Sequence, residues 1–280
     1  MAKKERYILA KHIAKEIKDE IASFYKSKPM TITELSERFN LSNPTIIKIL
    51  NQYKIKRYTK VQLFSPNLKE DYFDNIDTQE KAYFLGLIIT DGCVYTKENK
   101  QNLVSITLKD EDKYLLEMFK KEVCSNKKVT SDGRGCAEIN ILSNKMVGCL
   151  SKYGILPNKS LNTVFPNALP KEAYPHLLRG IIDGDGSISF YSRNNRKSHT
   201  KAIRLCQGNE QFLKDIVEFL ANELGTTRVS LFREKDNLWS IRYAKNDDML
   251  KIINYLYSGV TIYMKRKKIL CDKILEEILR

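Results

Sequence analysis

Two aspartates, each followed by glycine, are the residues of this sequence best placed to do chemistry: Asp91 in FLGLIITDG (84–92) and Asp185 in LRGIIDGDG (178–186). The apolar stretches leading to them have few polar positions, as expected of helices buried on most sides. Each stretch holds an interior glycine, Gly86 or Gly180. An interior glycine costs a helix about 1 kcal/mol relative to alanine but lets two backbones approach closely, which places this pair at a helix–helix interface. Gly92 and Gly186 are then expected to close the helices in the left-handed conformation. That leaves Asp91 and Asp185 converging on adjacent last turns. Two carboxylates there repel each other and the negative end of each helix dipole. A hard divalent cation resolves the conflict, with Mg²⁺ the natural candidate, held by carboxylate, carbonyl, water and phosphate oxygens. The same ion can activate water and stabilise a leaving oxygen. A single Asp-Gly reads equally well as an ordinary helix stop; its recurrence with matching downstream elements favours function.

The recurrence is a two-copy repeat. After each Asp-Gly come alternating, strand-like stretches, CVYT and LVSITL in the first copy and SISFY and AIRLC in the second. LKDEDKYLLEMFKKEV then aligns without a gap on CQGNEQFLKDIVEFLA at an offset of 98, which gives the second copy four extra residues in its first hairpin loop. AEINIL in one copy, RVSLF and LWSIRY in the other, and the closing helices KMVGCLSKYGI and DMLKIINYLYS complete an αββαββα order per copy. The expected class is α+β, with halves at 80–165 and 166–280.

Ahead of the repeat, residues 5–25 read as one amphipathic helix carrying Ile8, Leu9, Ile13, Ile17, Ile21 and Phe24. TITELSERFNLSNPTIIKILNQYKI reads as a helix over Thr33–Phe39, a turn at Asn40–Ser42 and a second helix with Asn43 as N-cap and Pro44 in its first turn. Ile46, Ile47, Ile49 and Leu50 would face inward, leaving Thr45, Lys48 and Gln52 outside. This is the pattern of a helix-turn-helix DNA reader over residues 1–60, or of a plain helical hairpin. The basic run Lys54, Lys56, Arg57 and Lys60 favours the reader. Residues 61–79, with Pro66 and the acidic stretch 70–77, read as a linker.

Composition bounds the partners. The 280 residues carry 48 Lys+Arg against 34 Asp+Glu, a formal charge of +14, so a polyanion is the leading partner. No apolar run approaches the roughly 20 residues of a membrane span, and the N-terminus lacks a signal core. The expectation is a protein neither secreted nor membrane-embedded, cytoplasmic in a bacterium or phage host, or organellar. Six cysteines without a CxxC pair and three histidines without HExxH spacing argue against zinc and disulfides, and the thiols are expected to be reduced and mostly buried.

FLGLIITDG and LRGIIDGDG resemble the LAGLIDADG motif. KYGILPNKS (152–160) and TIYMKRKK (261–268) also resemble segments of two-motif LAGLIDADG homing endonucleases, and the likeness covers about residues 70–270. The resemblance implies a pseudo-twofold pair of αββαββα halves whose sheets form a saddle on the DNA major groove, with Asp91 and Asp185 as metal-binding catalytic acids. Mg²⁺ would be the cofactor, Mn²⁺ a substitute, and Ca²⁺ would support binding without efficient cleavage. The first copy departs from the family at Ile89, where many members have an acid and the second copy has Asp183. Family members also place polar or basic groups near the scissile phosphates; matching places are Lys109 and Gln207, with Lys145 and Lys245 less closely matched. Lys109 reads equally as a solvated surface charge, and Lys145 and Lys245 read more readily as such.

DNA contacts are expected from Ser42, Asn43, Thr45 and Lys48 in the N-terminal unit and from Arg193, Arg196, Lys197, Lys201, Arg204, Arg228, Arg233 and Arg242 in the second copy. The expected function is site-specific, Mg²⁺-dependent cleavage of a long asymmetric double-stranded DNA site by a monomer, with water as nucleophile. The alternative from another class is a LAGLIDADG protein without cleavage, acting as a maturase on intron RNA or as a DNA-binding regulator. A starting Met and a closing helix in place of a His-Asn splice end favour a free-standing protein over an intein piece.

Overall fold

A computed structural model of the chain describes residues 13–59, 62–63, 65–96, 101–157, 162–192 and 199–280. Arg193, Arg196, Lys197, Lys60, Ile8 and Leu9 lie outside them. The chain divides into two compact units, the described residues up to Leu68 with Cys124–Asn126, and Lys69–Val123 with Lys127–Arg280.

Among the described residues the first unit includes the helices α1 (Lys15–Ser27), α2 (Ile32–Phe39) and α3 (Asn43–Gln52), packed around Ile21, Tyr25, Leu35, Ile46, Ile49 and Leu50. Described residues of α1 begin at Lys15, so Ile13 and Ala14 precede the helix instead of continuing it, and Ile17 is exposed. A capping box starts α2: Thr31 Oγ1 accepts from the Glu34 N–H and Glu34 returns a bond to the Thr31 N–H. Asn40 ends it at φ 51°, in the left-handed region where asparagine is tolerated. The cap of α3 is Ser42, not Asn43: the Ser42 hydroxyl accepts from the Thr45 N–H, while Asn43 and Pro44 occupy the first turn. Thr45 is therefore buried against that cap, with its hydroxyl 2.7 Å from Ser42 Oγ, and does not face outward. Asn43 and Lys48 are exposed, and Ile47 is only half-buried.

The second unit contains the repeat. Its first half runs α4 (Gln79–Asp91), β1 (Gly92–Tyr95), β2 (Leu103–Lys109), α5 (Lys113–Glu122), β3 (Thr130–Ser131), β4 (Cys136–Leu142) and α6 (Asn144–Ser151). The second half runs α7 (Tyr174–Asp185), β5 (Gly186–Ser192), β6 (His199–Gln207), α8 (Glu210–Leu224), β7 (Phe232–Lys235), β8 (Leu238–Tyr243) and α9 (Asn246–Tyr257). A further helix, α10 (Lys265–Ile278), follows. Each half is αββαββα, with an antiparallel four-stranded sheet ordered β1-β2-β4-β3 or β5-β6-β8-β7. One face of each sheet is packed under helices, through Val104, Ile106, Ile139 and Ile141 in the first half and Ile203, Leu205, Ile241 and Tyr243 in the second.

Pairing registers correct the ungapped alignment of the copies. Gly92 pairs with Ile106 and Gly186 with Leu205, so the second strands match at an offset of 99. The buried positions Leu115, Leu116 and Phe119 of α5 match Phe212, Leu213 and Ile216 of α8 at 97. Half two thus has five extra residues in its first hairpin and two fewer between strand and helix, where half one makes a 3₁₀ turn at Asp110–Asp112. Most of RVSLF is not strand; β7 begins at Phe232. The linker expected over 61–79 does not extend through the 70s: Tyr72, Phe73 and Ile76 are buried, and Phe73 stacks on Phe119 at 6.2 Å. Phe165 packs on Tyr174, Phe212 and Phe219 and so belongs to the second half. All six thiols are free, but only Cys149 and Cys271 are buried. Among the described residues no helix is long and apolar enough to cross a membrane.

Candidate active site

The helices α4 and α7 meet glycine to glycine. A Cβ on Gly86 would lie 2.2 Å from the Leu177 carbonyl oxygen, and one on Gly180 would lie 2.1 Å from that of Tyr83. No other residue fits at either position. One turn on, the contact is asymmetric: a Cβ on Gly184 would lie 1.9 Å from Thr90 Oγ1 and 3.0 Å from Asp91 Oδ2. Asp91 therefore reaches across to the end of the partner helix, at the residue before Asp185. Gly92 and Gly186 are not left-handed, at φ −91° and −77°; each already belongs to a strand. Glycine is required there because a Cβ would sit 2.6 Å from the Ile88 oxygen or 2.4 Å from the Ile182 oxygen. The helix thus passes into the strand without a loop, and each aspartate stands at that junction.

Asp185 is exposed, and its Oδ2 accepts from Gln207 Nε2 at 3.1 Å. A cleft of about 320 Å³ opens beside it, lined by Thr90, Thr163, Cys206, Gln207 and Gly208 among others. Gln207 thus touches Asp185, though its strand equivalent in half one is the buried Leu108. Lys109 is exposed, with Glu111 at 4.0 Å. Lys145 is paired with Asp71 at 2.9 Å, and Lys245 donates to Thr227 Oγ1 at 3.2 Å, so neither joins the aspartates. Both stand at the start of closing helices, and segments distant in the chain supply their partners.

A lysine missed in the sequence stands at the end of α7. Lys267, in the first turn of α10, is buried, and its ammonium donates to the carbonyls of Ile182, Asp183, Gly184 and Gly186. The first three of these carbonyls belong to the negative pole of the helix carrying Asp185, and the fourth to the strand that follows it. Burial lowers the Lys267 pKa to about 8, against the favourable fields of Asp183, Asp91 and Asp185. Asp183, the acid that half one replaces with Ile89, is fully buried and accepts from Tyr83 Oη, Tyr257 Oη and the Met264 N–H at 2.7–2.9 Å. Burial raises its pKa. It is a strut between the halves and α10, not a group open to substrate. Arg179 is also fully buried, donating to the Ile262 and Leu256 carbonyls at 2.8 Å and to His176 Nδ1 at 2.9 Å.

The sheet faces turned away from the helices sort the remaining cations. Arg204 and Arg242 pair across β6 and β8 on that open face. Lys201 falls on the helix-covered face and is bound to Glu277 of α10 at 2.9 Å, so it is not a groove contact. Arg228 precedes β7 and is tied to Glu218 of α8. Arg233 is exposed beside Asp236.

Two helices packed through their glycines, each running into an antiparallel four-stranded sheet, form the centre of the second unit. Residues 78–135 match the family of LAGLIDADG-like domains. The chain has the fold of single-chain LAGLIDADG meganucleases. It resembles the homing endonuclease I-GzeII in complex with its DNA target (15% identity, TM-score 0.52, 70% of this chain and 91% of that one). It also resembles the meganuclease I-AabMI bound to uncleaved DNA (15%, 0.51, 70% and 89%) and I-SmaMI bound to cleaved DNA (15%, 0.50, 71% and 88%). No curated protein matches the sequence.

Proposed function

We propose that the chain is a site-specific, divalent-metal-dependent double-strand DNA endonuclease. This reading is supported by the close approach of the motif helices at Gly86 and Gly180 and by Asp91 Oδ2 standing at Gly184, the residue before Asp185. The neighbours of the same fold are bound to DNA, cleaved in one case. The donor set fits Mg²⁺: among the described residues no cluster of three His, Cys, Asp or Glu exists, and Mg²⁺ needs only one or two carboxylates when water and phosphate complete its shell. When bound, Mg²⁺ or Mn²⁺ supplies Lewis acidity and a water made nucleophilic at neutral pH. Asp91 and Asp185 would hold it. Gln207 fixes the Asp185 carboxylate, and the Lys267 ammonium offsets the helix-end dipole and the repulsion between the two acids. No side chain serves as covalent nucleophile; the protein's part is positioning the phosphate between its two halves. The three-helix unit would lengthen the site through Asn43 and Lys48 of α3, and two halves in one chain make the active species a monomer.

The test is incubation with a large duplex library in Mg²⁺ and in Ca²⁺, sequencing bound molecules and new ends. Discrete ends in Mg²⁺ only, lost in Asp91→Asn and Asp185→Asn variants that still bind, are expected. Enrichment without ends would indicate a regulator, and binding of intron RNA in preference to duplex a maturase.

A further inference from the structure

The pseudo-twofold relation puts one row of each open sheet face in register with the other, and the two rows carry different chemistry. In half one the row is Cys93, Ser105 and Asn140; in half two it is Ser187, Arg204 and Arg242. Gly92 and Gly186, directly after the aspartates, fix the correspondence, because each begins its sheet and pairs with the equivalent residue of the second strand. The rows therefore start two residues beyond Asp91 and Asp185, at the inner end of each sheet.

Arg204 and Arg242 lie directly opposite each other across two strands. Like charges so placed are destabilising. A single carboxylate offsets them: Glu234 of β7 receives Arg204 at 2.5 Å and is itself held by the Ser240 hydroxyl. Arg242 is exposed and has no ion-pair partner among the described residues. One guanidinium is thus locked in orientation and its neighbour presented beside it, with the fork of donors that matches guanine O6 and N7 in the major groove. The equivalent place in half one has no cation. The Ser105 hydroxyl is taken by Glu138 at 2.6 Å, which leaves the Asn140 amide, the group suited to adenine N6 and N7.

We infer that the two half-sites of the DNA target differ at their matched inner position, guanine being read by Arg204 and Arg242 in one and adenine by Asn140 in the other. This rests on the endonuclease reading and adds the base identity that the fold alone does not supply. The asymmetry follows from side chains at one row, so a palindromic target would lose one of the two contacts.

The experiment is selection of bound duplexes from a randomised library in Ca²⁺ by the full chain and three variants. For the wild type, guanine is expected at the inner position of one half-site only, enriched roughly five- to a hundredfold over other bases. In Arg204→Lys/Arg242→Lys, which keeps both charges, that preference should fall below about twofold while the other half-site is unchanged, since a lysine cannot make the bidentate contact. Glu234→Gln should relax the same position partially. Asn140→Arg should transfer a guanine preference to the mirrored position, a gain that no unfolded variant can mimic. Guanine at both mirrored positions, at neither, or undiminished in the double lysine variant would overturn the inference and leave site-specific recognition standing. A library with no enriched sequence at all would overturn the endonuclease reading and the inference with it.

Discussion

Replacing Gly86 by alanine tests the origin of the active-site geometry. In a free helix the change would be favourable by about 1 kcal/mol, because alanine restricts the unfolded chain and glycine does not. In this chain the new methyl would stand 2.2 Å from the Leu177 oxygen, 3.0 Å from the Ile181 nitrogen and 3.1 Å from the Gly180 Cα. A carbon–oxygen contact needs roughly 3.3 Å, so α4 and α7 must separate by about 1 Å. All three atoms are backbone, and none can turn aside as a side chain would. Overpacking of this kind costs about 1–3 kcal/mol, which more than cancels the gain. Gly148 of α6 is the internal control: a Cβ there meets nothing within 4 Å, so Gly148→Ala should stabilise by about 0.5–1 kcal/mol. Urea unfolding followed by circular dichroism measures both. The carboxylates move with their helices, so cleavage by Gly86→Ala should fall on the order of a hundredfold while library binding persists. A Gly86→Ala protein as stable and active as the wild type would refute the close-approach reasoning.

Asp183→Asn should destabilise by about 2–3 kcal/mol in the same assay, because an amide cannot accept from Tyr83, Tyr257 and Met264 together. Lys267 has a folded pKa of about 8 against 10.5 unfolded, so the folded state binds fewer protons between these values and its contribution to stability rises with pH across that window. The rise, about 3 kcal/mol, should vanish from a Lys267→Met variant measured alongside. Cleavage should move the opposite way, falling above pH 8 as the ammonium that caps α7 is lost; a flat rate from pH 7.5 to 9.5 would count against that role. His176 accepts from Arg179 and must be neutral, with burial lowering its pKa to about 4, so stability should be lost as pH falls from 6.5 towards 4. Being half-exposed, it should contribute about 1–2 kcal/mol of that loss, read as the difference between wild type and His176→Asn.

The motif helices and their glycines were legible because burial on most sides, an interior glycine and a duplicated Asp-Gly each leave a mark in sequence. The αββαββα order was legible from alternation. Registers were not: an ungapped offset of 98 averages a strand matched at 99 and a helix matched at 97, and only hydrogen-bond pairing separates them. Lys201 reads from sequence like Arg204, yet strand parity puts it under α10. Lys267 lies in the basic run KRKK and looks like solvated charge; its burial depends on four carbonyls contributed by the α7–β5 junction, 81–85 residues earlier in the chain. The segment 70–77 looks like a linker because its acids outnumber the two aromatic residues that anchor it. Thr45 reads as outward-facing from sequence when Asn43 is taken as the cap, because the actual cap is Ser42, one residue earlier.

The contact between Thr90 and Gly184 also decides which halves can associate. Because position 90 of one half faces position 184 of the other, two copies of the first half would set threonine against threonine where there is space for one side chain. Two copies of the second would leave a gap and bring a pair of fully buried Asp183 carboxylates into the core without Tyr83 to receive them. Covalent linkage is then not the only thing that makes this molecule asymmetric. Separately expressed halves would find each other in preference to themselves, and their recombination would preserve the order in which two unlike half-sites must be arranged along a DNA.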